Sequence, residues 1–223
     1  MTVTTIVFDL DGTLVDTAPD LMHSLNHTIA AVGLAPVGYQ DITHLVGQGA
    51  KVMIERAFRL REAPLADSEL PALLDRFIDH YSAHMPGESL PFPGVVDALD
   101  RLTAAGYRLA VCTNKMERLA VPLIAKLGLG DRFAAIAGGD TFPTRKPDGA
   151  HIVSTVEKAG GDPRRAIMVG DSVNDILAAQ NARMPSIAVP FGYSDVPVDT
   201  LGADRIIGHF DQLTSELVEA LLA

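Results

Sequence analysis

The fold is decided by the segment Ile6-Val7-Phe8-Asp9-Leu10-Asp11-Gly12-Thr13, in which an apolar run leads into two aspartates and a turn. The run predicts a short buried strand. Because side chains alternate along an extended chain, the carboxylates of Asp9 and Asp11 point to the same side. Ligands of open parallel sheets bind at the carboxyl ends of strands, so this pair lies where a site is expected. The alternative is an acidic turn that caps the next helix.

Three further apolar runs occupy positions 109–112, 134–137 and 166–169, and each ends at a polar or glycine-containing turn. They predict three more buried strands. Helical patterns fall between them, and strands that alternate with helices are typical of a parallel sheet. An apolar run at 186–189 and the segment Asp204-Arg205-Ile206-Ile207 follow the fourth strand. The sequence therefore predicts an α/β fold with a Rossmann-like parallel-sheet core.

The segment 16–90 interrupts this alternation, because it shows helical patterns and no strand pattern. Three amphipathic helices can form a small bundle. Apolar residues repeat at helical spacing in three stretches of the segment, at 21–32, 53–58 and 70–81. We therefore predict an α/β core made of residues 1–15 and 91–223, with a small inserted all-helical cap domain at 16–90.

Composition argues against several classes of function. The 223 residues carry 28 acidic side chains and 18 Lys or Arg, a formal net charge of -10, whereas nucleic-acid binders cluster Lys and Arg. No apolar stretch approaches the roughly 20 residues that span a bilayer, and the N-terminus does not resemble a signal peptide. The single cysteine, Cys112, allows no intrachain disulfide. We expect a cytoplasmic protein without nucleic-acid or membrane partners.

Polar side chains also follow the second and fourth predicted strands. Thr113-Asn114-Lys115 follows the second, and Gly170-Asp171-Ser172-Val173-Asn174-Asp175 follows the fourth. With Asp9 and Asp11, four carboxylates would gather at one edge of the sheet. Each pair repels by about 4 kcal/mol at 4 Å and an effective dielectric constant of 20. A hard divalent cation would relieve this repulsion, and oxygen ligands favour Mg²⁺.

Two of the candidate residues have structural alternatives. Lys146 lies in a loop before a predicted helix, where it could bind a phosphoryl oxygen or be a solvated loop lysine. Asp175 fits a metal site, but Ser172 and Asp175 also match a helix capping box. His80 and His84 share a helix face, yet no third ligand accompanies them in the sequence, so we set them aside as a metal pair.

In combination, the motifs resemble the four motifs of the haloacid dehalogenase-like hydrolase superfamily, in order and over most of the chain. The helical insert is similar to the mobile cap of that superfamily. One departure is Asp148-Gly149 after Lys146-Pro147, where the family often has a second proline. Within the superfamily, three segments look most like those of phosphoglycolate phosphatases: Leu45-Val46-Gly47-Gln48-Gly49, Phe92-Pro93-Gly94-Val95 and Phe191-Gly192-Tyr193.

The resemblance implies a role for each motif residue. Asp9 would attack phosphorus and form an aspartyl-phosphate, and Asp11 would act as the acid and base. A second aspartate suits a phosphatase, since a dehalogenase expels halide and needs no proton donor. The groups that bind the phosphoryl group would be Thr113, Asn114 and Lys146. The groups that hold Mg²⁺ would be Asp9, the carbonyl of Asp11, Asp171 and Asp175, the last directly or through water.

The resemblance implies a small phosphorylated metabolite as the substrate, most of all 2-phosphoglycolate. It also implies that the cap determines substrate specificity. Gly47 could approach the ligand or simply form a turn, and Gln48, Lys51 and Arg56 are candidates to pair with a substrate carboxylate. Another phosphatase, a pyrophosphatase or a phosphosugar mutase of the same superfamily would share these motifs. A receiver-type signalling module and a non-catalytic binding protein are alternatives of other classes. The sequence leaves monomer and homodimer equally open.

Overall fold

The computed structural model describes residues 3–42 and 44–223. Its main sheet has six parallel strands: β1 Thr5–Phe8, β4 Arg108–Cys112, β5 Ala135–Ala137, β6 Ala166–Gly170, β7 Ser186–Ala188 and β8 Arg205–Ile206. Their order across the sheet is β5-β4-β1-β6-β7-β8. Every strand predicted from an apolar run is present, which confirms the α/β class with a Rossmann-like parallel sheet.

Strand β1 lies at the centre of the sheet, and the strand order reverses on either side of it. Its residues pair in parallel with β4 on one side and with β6 on the other. All four residues of β1 are buried, because helices cover both faces of a parallel sheet. The carboxyl end of β1 is therefore the switch point at which a ligand crevice opens.

Helices flank the sheet and fill the insert. Those of the insert are α1 Ala18–Ala30, α2 Tyr39–Ile42, α3 Ala50–Leu60 and α4 Leu70–His84. Those of the core are α5 Val95–Ala104, α6 Glu117–Lys126, α7 Gly149–Lys158, α8 Val173–Asn181 and α9 Ser215–Leu222. No helix in the described ranges is long and apolar enough to cross a membrane.

The prediction that residue 16 to residue 90 contain no strand is wrong at both ends of the segment. Val15–Asp16 forms β2 and Leu90–Pro91 forms β3, and the two pair antiparallel where the insert leaves and rejoins the core. Strands of two residues are too short to show an alternating pattern, so no sequence signal indicates them. The domain boundaries at 15/16 and 90/91 stay a prediction.

The insert packs through the apolar faces expected of it. Leu25, Ile54 and Tyr81, from α1, α3 and α4, are fully buried and belong to one apolar cluster that continues into the sheet core. Val32, which the pattern placed in the first helical stripe, is 44% exposed because α1 ends at Ala30. The helices of the insert are therefore fixed against each other and reach the crevice above β1.

Candidate active site

Asp9 is the first residue after β1, and its backbone N–H donates to the carbonyl of Val169 at 2.9 Å. The side chains of Asp9, Asp171 and Asp175 are buried and bring one carboxylate oxygen each within 4.8 Å of one another. Thus three of the four carboxylates predicted to gather at this edge form a compact group, because β1 and β6 are adjacent strands that end at the same level.

Asp171 is oriented by two donors. The Thr13 hydroxyl donates to Oδ1 and the backbone N–H of Tyr193 donates to Oδ2, each at 2.7 Å. Gly12 makes room for this carboxylate, because a Cβ at Gly12 would lie 2.5 Å from Asp171 Oδ2. Its φ of +86° also favours glycine. The DxDGT turn therefore shapes the site as well as supplying carboxylates to it.

Lys146 lies inside the carboxylate group and is 2% exposed. Its Nζ is 2.8 Å from Asp9 Oδ1 and 2.6 Å from Asp175 Oδ1. The other oxygen of Asp175 accepts hydrogen bonds from the backbone N–H and the hydroxyl of Ser172 at the start of α8. Asp175 therefore caps the helix and pairs with Lys146 at once, and Lys146 is not a solvated loop lysine.

Burial among like charges perturbs the ionisation of the site. The pKa of Asp9 is raised to about 7, chiefly by burial, with Lys146 opposing the shift and Asp175 adding to it. Burial also raises the pKa of Asp171 well above its usual value, with Asp175 and Asp9 adding to the effect. Burial alone would lower the pKa of Lys146, but Asp175 and Asp9 hold it above its ordinary value. One ammonium faces three carboxylates, so the site lacks positive charge.

The carboxylate group fits a divalent cation on its donor chemistry. Its three candidate ligands are all oxygen atoms, as Mg²⁺ prefers. Asp9 Oδ1 accepts no well-aligned hydrogen bond from the described residues, although Lys146 Nζ is close to it. A single ammonium does not neutralise three buried carboxylates, so the group is suited to a divalent ion as well. In the described ranges, these aspartates are the one group of three or more such side chains close enough to share an ion.

Thr113 and Asn114 follow β4 beside the carboxylate group. The Asn114 amide donates to the carbonyl of Lys146 at 3.1 Å and to that of Gly47 at 3.4 Å. The amide of Asn174, at the start of α8, donates to the same Gly47 carbonyl at 3.2 Å. Gly47 therefore joins the insert to two segments of the core directly above the site. From the sequence alone, this role of Gly47 could not be distinguished from that of an ordinary turn.

Asp11 has partners different from those of Asp9. Its Oδ1 accepts hydrogen bonds from the Thr17 hydroxyl at 2.7 Å and from Lys115 Nζ at 2.9 Å. The Lys115 ammonium also lies 4.4 Å from the centre of the Tyr81 ring. Sequence reasoning placed Lys115 at a strand end without giving it a role, and it missed Tyr81, since a tyrosine in a helical stripe carries no signal of a shared site.

A cavity of about 160 Å³ opens between the insert and the core. Asp9, Asp11, Thr113 and Asn114 line its floor, and apolar side chains of α1, α3 and α4 line much of the rest. Gln48 and Lys51 lie at the insert side, where Lys51 is 63% exposed and pairs with Glu55. A ligand bound at Asp9 would therefore also contact the insert.

Comparison with known proteins identifies the family of the chain. Residues 6–189 match the model of the family described as haloacid dehalogenase-like hydrolase. The chain belongs to the haloacid dehalogenase-like hydrolases. It is 64% identical to a phosphoglycolate phosphatase of Agrobacterium fabrum over 97% of this chain and 93% of that relative. A phosphoglycolate phosphatase of Mesorhizobium japonicum is 52% identical, over 97% and 96% of the two chains.

Solved structures show the same architecture. A predicted phosphoglycolate phosphatase from Haemophilus somnus superposes with a TM-score of 0.89 at 32% identity, over 96% of this chain and 97% of that chain. CbbY from Rhodobacter sphaeroides, solved with phosphate, superposes with a TM-score of 0.80 at 28% identity, over 95% and 96%. The similarity to the hydrolase family thus extends over the insert as well as the core.

Arg56, a candidate substrate ligand, and the pair His80 and His84, which we set aside as metal ligands, lie away from the carboxylates of this hydrolase. Arg56 donates to the carbonyl of His44 and pairs with Asp195 at 3.2 Å, and it does not line the cavity. His80 and His84 stack at 4.1 Å between ring centres, with His27 on the other face of His80 at 4.2 Å. The histidines form a column on the insert surface, separate from Asp9.

Proposed function

We propose that the protein is a Mg²⁺-dependent phosphomonoesterase that hydrolyses 2-phosphoglycolate to glycolate and phosphate through an aspartyl-phosphate on Asp9. The observation that carries the proposal is the contrast between two carboxylates that line one cavity. Asp9 lies in the buried carboxylate group beside Lys146, whereas Asp11 points toward Lys115 and Thr17. Two aspartates in unlike environments suit unlike tasks, one as nucleophile and one as acid and base.

In the first step a carboxylate oxygen of Asp9 attacks phosphorus and the bond from phosphorus to the ester oxygen breaks. Lys146, Thr113 and Asn114 bind the transferring group and offset its charge. Asp11 gives its proton to the departing glycolate oxygen, which leaves as a neutral hydroxyl. The products of this step are the phosphorylated enzyme, glycolate and an ionised Asp11.

In the second step Asp11, now a carboxylate, removes a proton from water as the water oxygen attacks phosphorus. The bond between phosphorus and Asp9 breaks, and inorganic phosphate leaves. Asp11 is again protonated and Asp9 is again a carboxylate, so the cycle closes. Lys146 stays with Asp9 throughout and keeps it oriented.

The residues that would hold Mg²⁺ are Asp9, Asp171, Asp175 and the backbone carbonyl of Asp11. A bound Mg²⁺ supplies charge that lowers the pKa of Asp9 and stabilises the phosphoryl oxygens. Asp171 is kept ready for this role by its bonds to Thr13 and to the Tyr193 backbone. Asp175 already accepts hydrogen bonds from Lys146 and Ser172. We therefore propose that it acts on the ion through these neighbours or through a bound water.

The assignment of 2-phosphoglycolate is supported by relatives named phosphoglycolate phosphatase that align over nearly the whole chain. A cavity of about 160 Å³ also suits a small ester better than a large one. We propose that the insert at 16–90 is the cap that covers this ester, with its contacts at Gly47 marking the covered state. We also propose a cytoplasmic location, in which the single buried thiol of Cys112 would stay reduced.

The test measures phosphate release from 2-phosphoglycolate, pyrophosphate and several sugar phosphates, in Mg²⁺ and in chelator. We expect Mg²⁺-dependent release that favours 2-phosphoglycolate and disappears in Asp9→Asn. The exposed carboxylate of Asp100, which pairs with Arg132, gives a matched control, and Asp100→Asn should keep wild-type rates. Preference for another ester would reject the substrate, and unchanged release by Asp9→Asn would reject the mechanism.

A further inference from the structure

We propose that Lys115 and Tyr81 bind the carboxylate of 2-phosphoglycolate and thereby select an anionic leaving group, an assignment that rests on the proposed function of the same site. The two side chains come from different parts of the chain. Lys115 follows β4 in the core, and Tyr81 lies on α4 of the insert. Both line the cavity that contains Asp9 and Asp11.

The position of Lys115 follows from the position of Asp11. To protonate the leaving oxygen, Asp11 must approach it to within hydrogen-bonding distance, about 3 Å. Lys115 Nζ lies 2.9 and 3.3 Å from the two oxygens of the same carboxylate. In 2-phosphoglycolate the carboxylate oxygens are only three bonds from the leaving oxygen. A substrate whose ester oxygen meets Asp11 therefore brings its own carboxylate toward Lys115.

The Tyr81 hydroxyl is a buried polar group whose neighbour among the described residues is the Lys115 ammonium, which cannot accept its proton. The side chain is fully buried, and the hydroxyl makes no well-aligned hydrogen bond within the described residues. Burial raises the pKa of Tyr81 to about 12, so the hydroxyl keeps its proton at neutral pH and can donate. A buried donor without an acceptor costs stability. A ligand oxygen beside Lys115 would satisfy it.

Other cations at the cavity are less suited to this role. The described residues that line it include three basic side chains, Lys51, Lys115 and Arg145. Lys51 is mostly in solvent and pairs with Glu55, and Arg145 is exposed, so water screens both charges. Lys115 has a side chain only 5% exposed. Burial alone would lower its pKa, but Asp11 keeps it raised, so the ammonium stays charged.

Lys115 can bind a substrate carboxylate without leaving Asp11 unpaired. Asp11 has a second donor in the Thr17 hydroxyl at 2.7 Å, so it remains held when Lys115 turns to the substrate. An ammonium has three donors, and Lys115 can therefore contact Asp11 and a ligand carboxylate together. Tyr81 keeps the ammonium in place through its ring face.

The test compares kcat/KM for 2-phosphoglycolate with kcat/KM for its neutral amide, 2-phosphoglycolamide, in wild type and Lys115→Met. A charge-assisted hydrogen bond in a buried site contributes about 10- to 100-fold in affinity. We expect the ratio of the two values to fall by that factor in Lys115→Met, mainly through a higher KM for the acid. Lys158→Met, in which a half-exposed lysine beside Glu117 is removed, is the matched control and should keep the ratio.

Tyr81→Phe keeps the ring and removes only the hydroxyl, so it tests the same site if Lys115→Met folds poorly. We expect its ratio to fall about three- to tenfold. If Lys115 merely positioned Asp11, both substrates would lose activity equally and the ratio would stay at the wild-type value, which overturns the assignment. Wild-type protein that releases phosphate from neither compound overturns the proposed function too, whereas an unchanged ratio in an active variant overturns the carboxylate site alone.

Discussion

Replacement of Lys146 by methionine should destabilise the protein more than replacement of any exposed lysine, and Mg²⁺ should recover part of the loss. Lys146 Nζ lies 2.8 Å from Asp9 Oδ1 and 2.6 Å from Asp175 Oδ1, and the side chain is 1% exposed. Methionine retains much of the volume and removes the charge. The three aspartates would then lie within 4.8 Å of each other without a cation.

The size of the effect follows from burial. Removing one partner of a buried ion pair costs about 3–5 kcal/mol, because the remaining charge stays desolvated and unpaired. Uptake of a proton by Asp9, whose pKa burial already raises to about 7, limits the loss. We therefore expect about 3 kcal/mol near neutral pH, a large part of the 5–15 kcal/mol typical of a folded domain.

The assay is urea denaturation at pH 7.5, followed by far-UV circular dichroism, in chelator and in saturating Mg²⁺. The free energy of unfolding should fall by about 3 kcal/mol in Lys146→Met in chelator, and Mg²⁺ should stabilise this variant more than wild type. Lys158→Met is the control, because its side chain is 38% exposed and its pair with Glu117 is long at 3.6 Å. Its loss should stay within about 0.5 kcal/mol.

Equal stability of Lys146→Met and wild type in chelator would refute the reasoning. So would a Mg²⁺ effect of the same size in both proteins. The first result would mean that the carboxylates are not desolvated as the structure shows, and the second that the cation does not bind among them.

Three further predictions concern ionisation and space. Saturating Mg²⁺ should raise Tm more at pH 8 than at pH 6, because the folded, metal-free protein holds a proton on Asp9 between about pH 4 and 7 that the ion must displace; a larger rise at pH 6 would contradict this. In Mg²⁺, wild type should lose more stability than His80→Gln between pH 7 and 5. In the folded protein, burial and then the nearby basic groups, His27 first, lower the pKa of His80. The unfolded chain therefore binds a proton at this histidine below about pH 6.5 that the folded protein does not bind, which lowers stability. An equal loss of stability in both proteins between pH 7 and 5 would contradict this prediction. Gly12→Ala should lower kcat/KM by at least about 100-fold, because the new Cβ displaces Asp171; near-wild-type kinetics would exclude that contact.

Much of the fold and of the carboxylate site could be predicted because the decisive residues lie at the ends of buried strands. The apolar run before Asp9 fixes a central strand, and parallel neighbours bring Thr113 and Asp171 to the same edge. Asp9, Asp171 and Lys146 therefore come together as motif order indicates. These inferences need the direction of each strand and no detail of side-chain packing.

The parts that could not be predicted depend on packing between distant segments. Lys115 meets Asp11 across 104 positions of sequence, and the ring of Tyr81 meets Lys115 only because α4 of the insert folds back over the core. Arg56 has the charge expected of a substrate ligand, but its guanidinium forms an ion pair with Asp195 instead. A side chain's type does not specify which of several partners it reaches.

The most direct test of the central claim is to trap the phosphorylated enzyme. Asp11→Asn lacks the base for the second step and the acid for the first, while its carboxamide oxygen still accepts hydrogen bonds from Thr17 and Lys115. An ester whose leaving group departs without a proton, such as 4-nitrophenyl phosphate, should therefore phosphorylate this variant, and the intermediate should accumulate when the ester and Mg²⁺ are added and the mixture is quenched in acid. Mass spectrometry of proteolytic fragments should find the phosphoryl group on Asp9, and Asp9→Asn should carry none. A phosphoryl group on another residue would contradict the account, as would rapid phosphate release by Asp9→Asn.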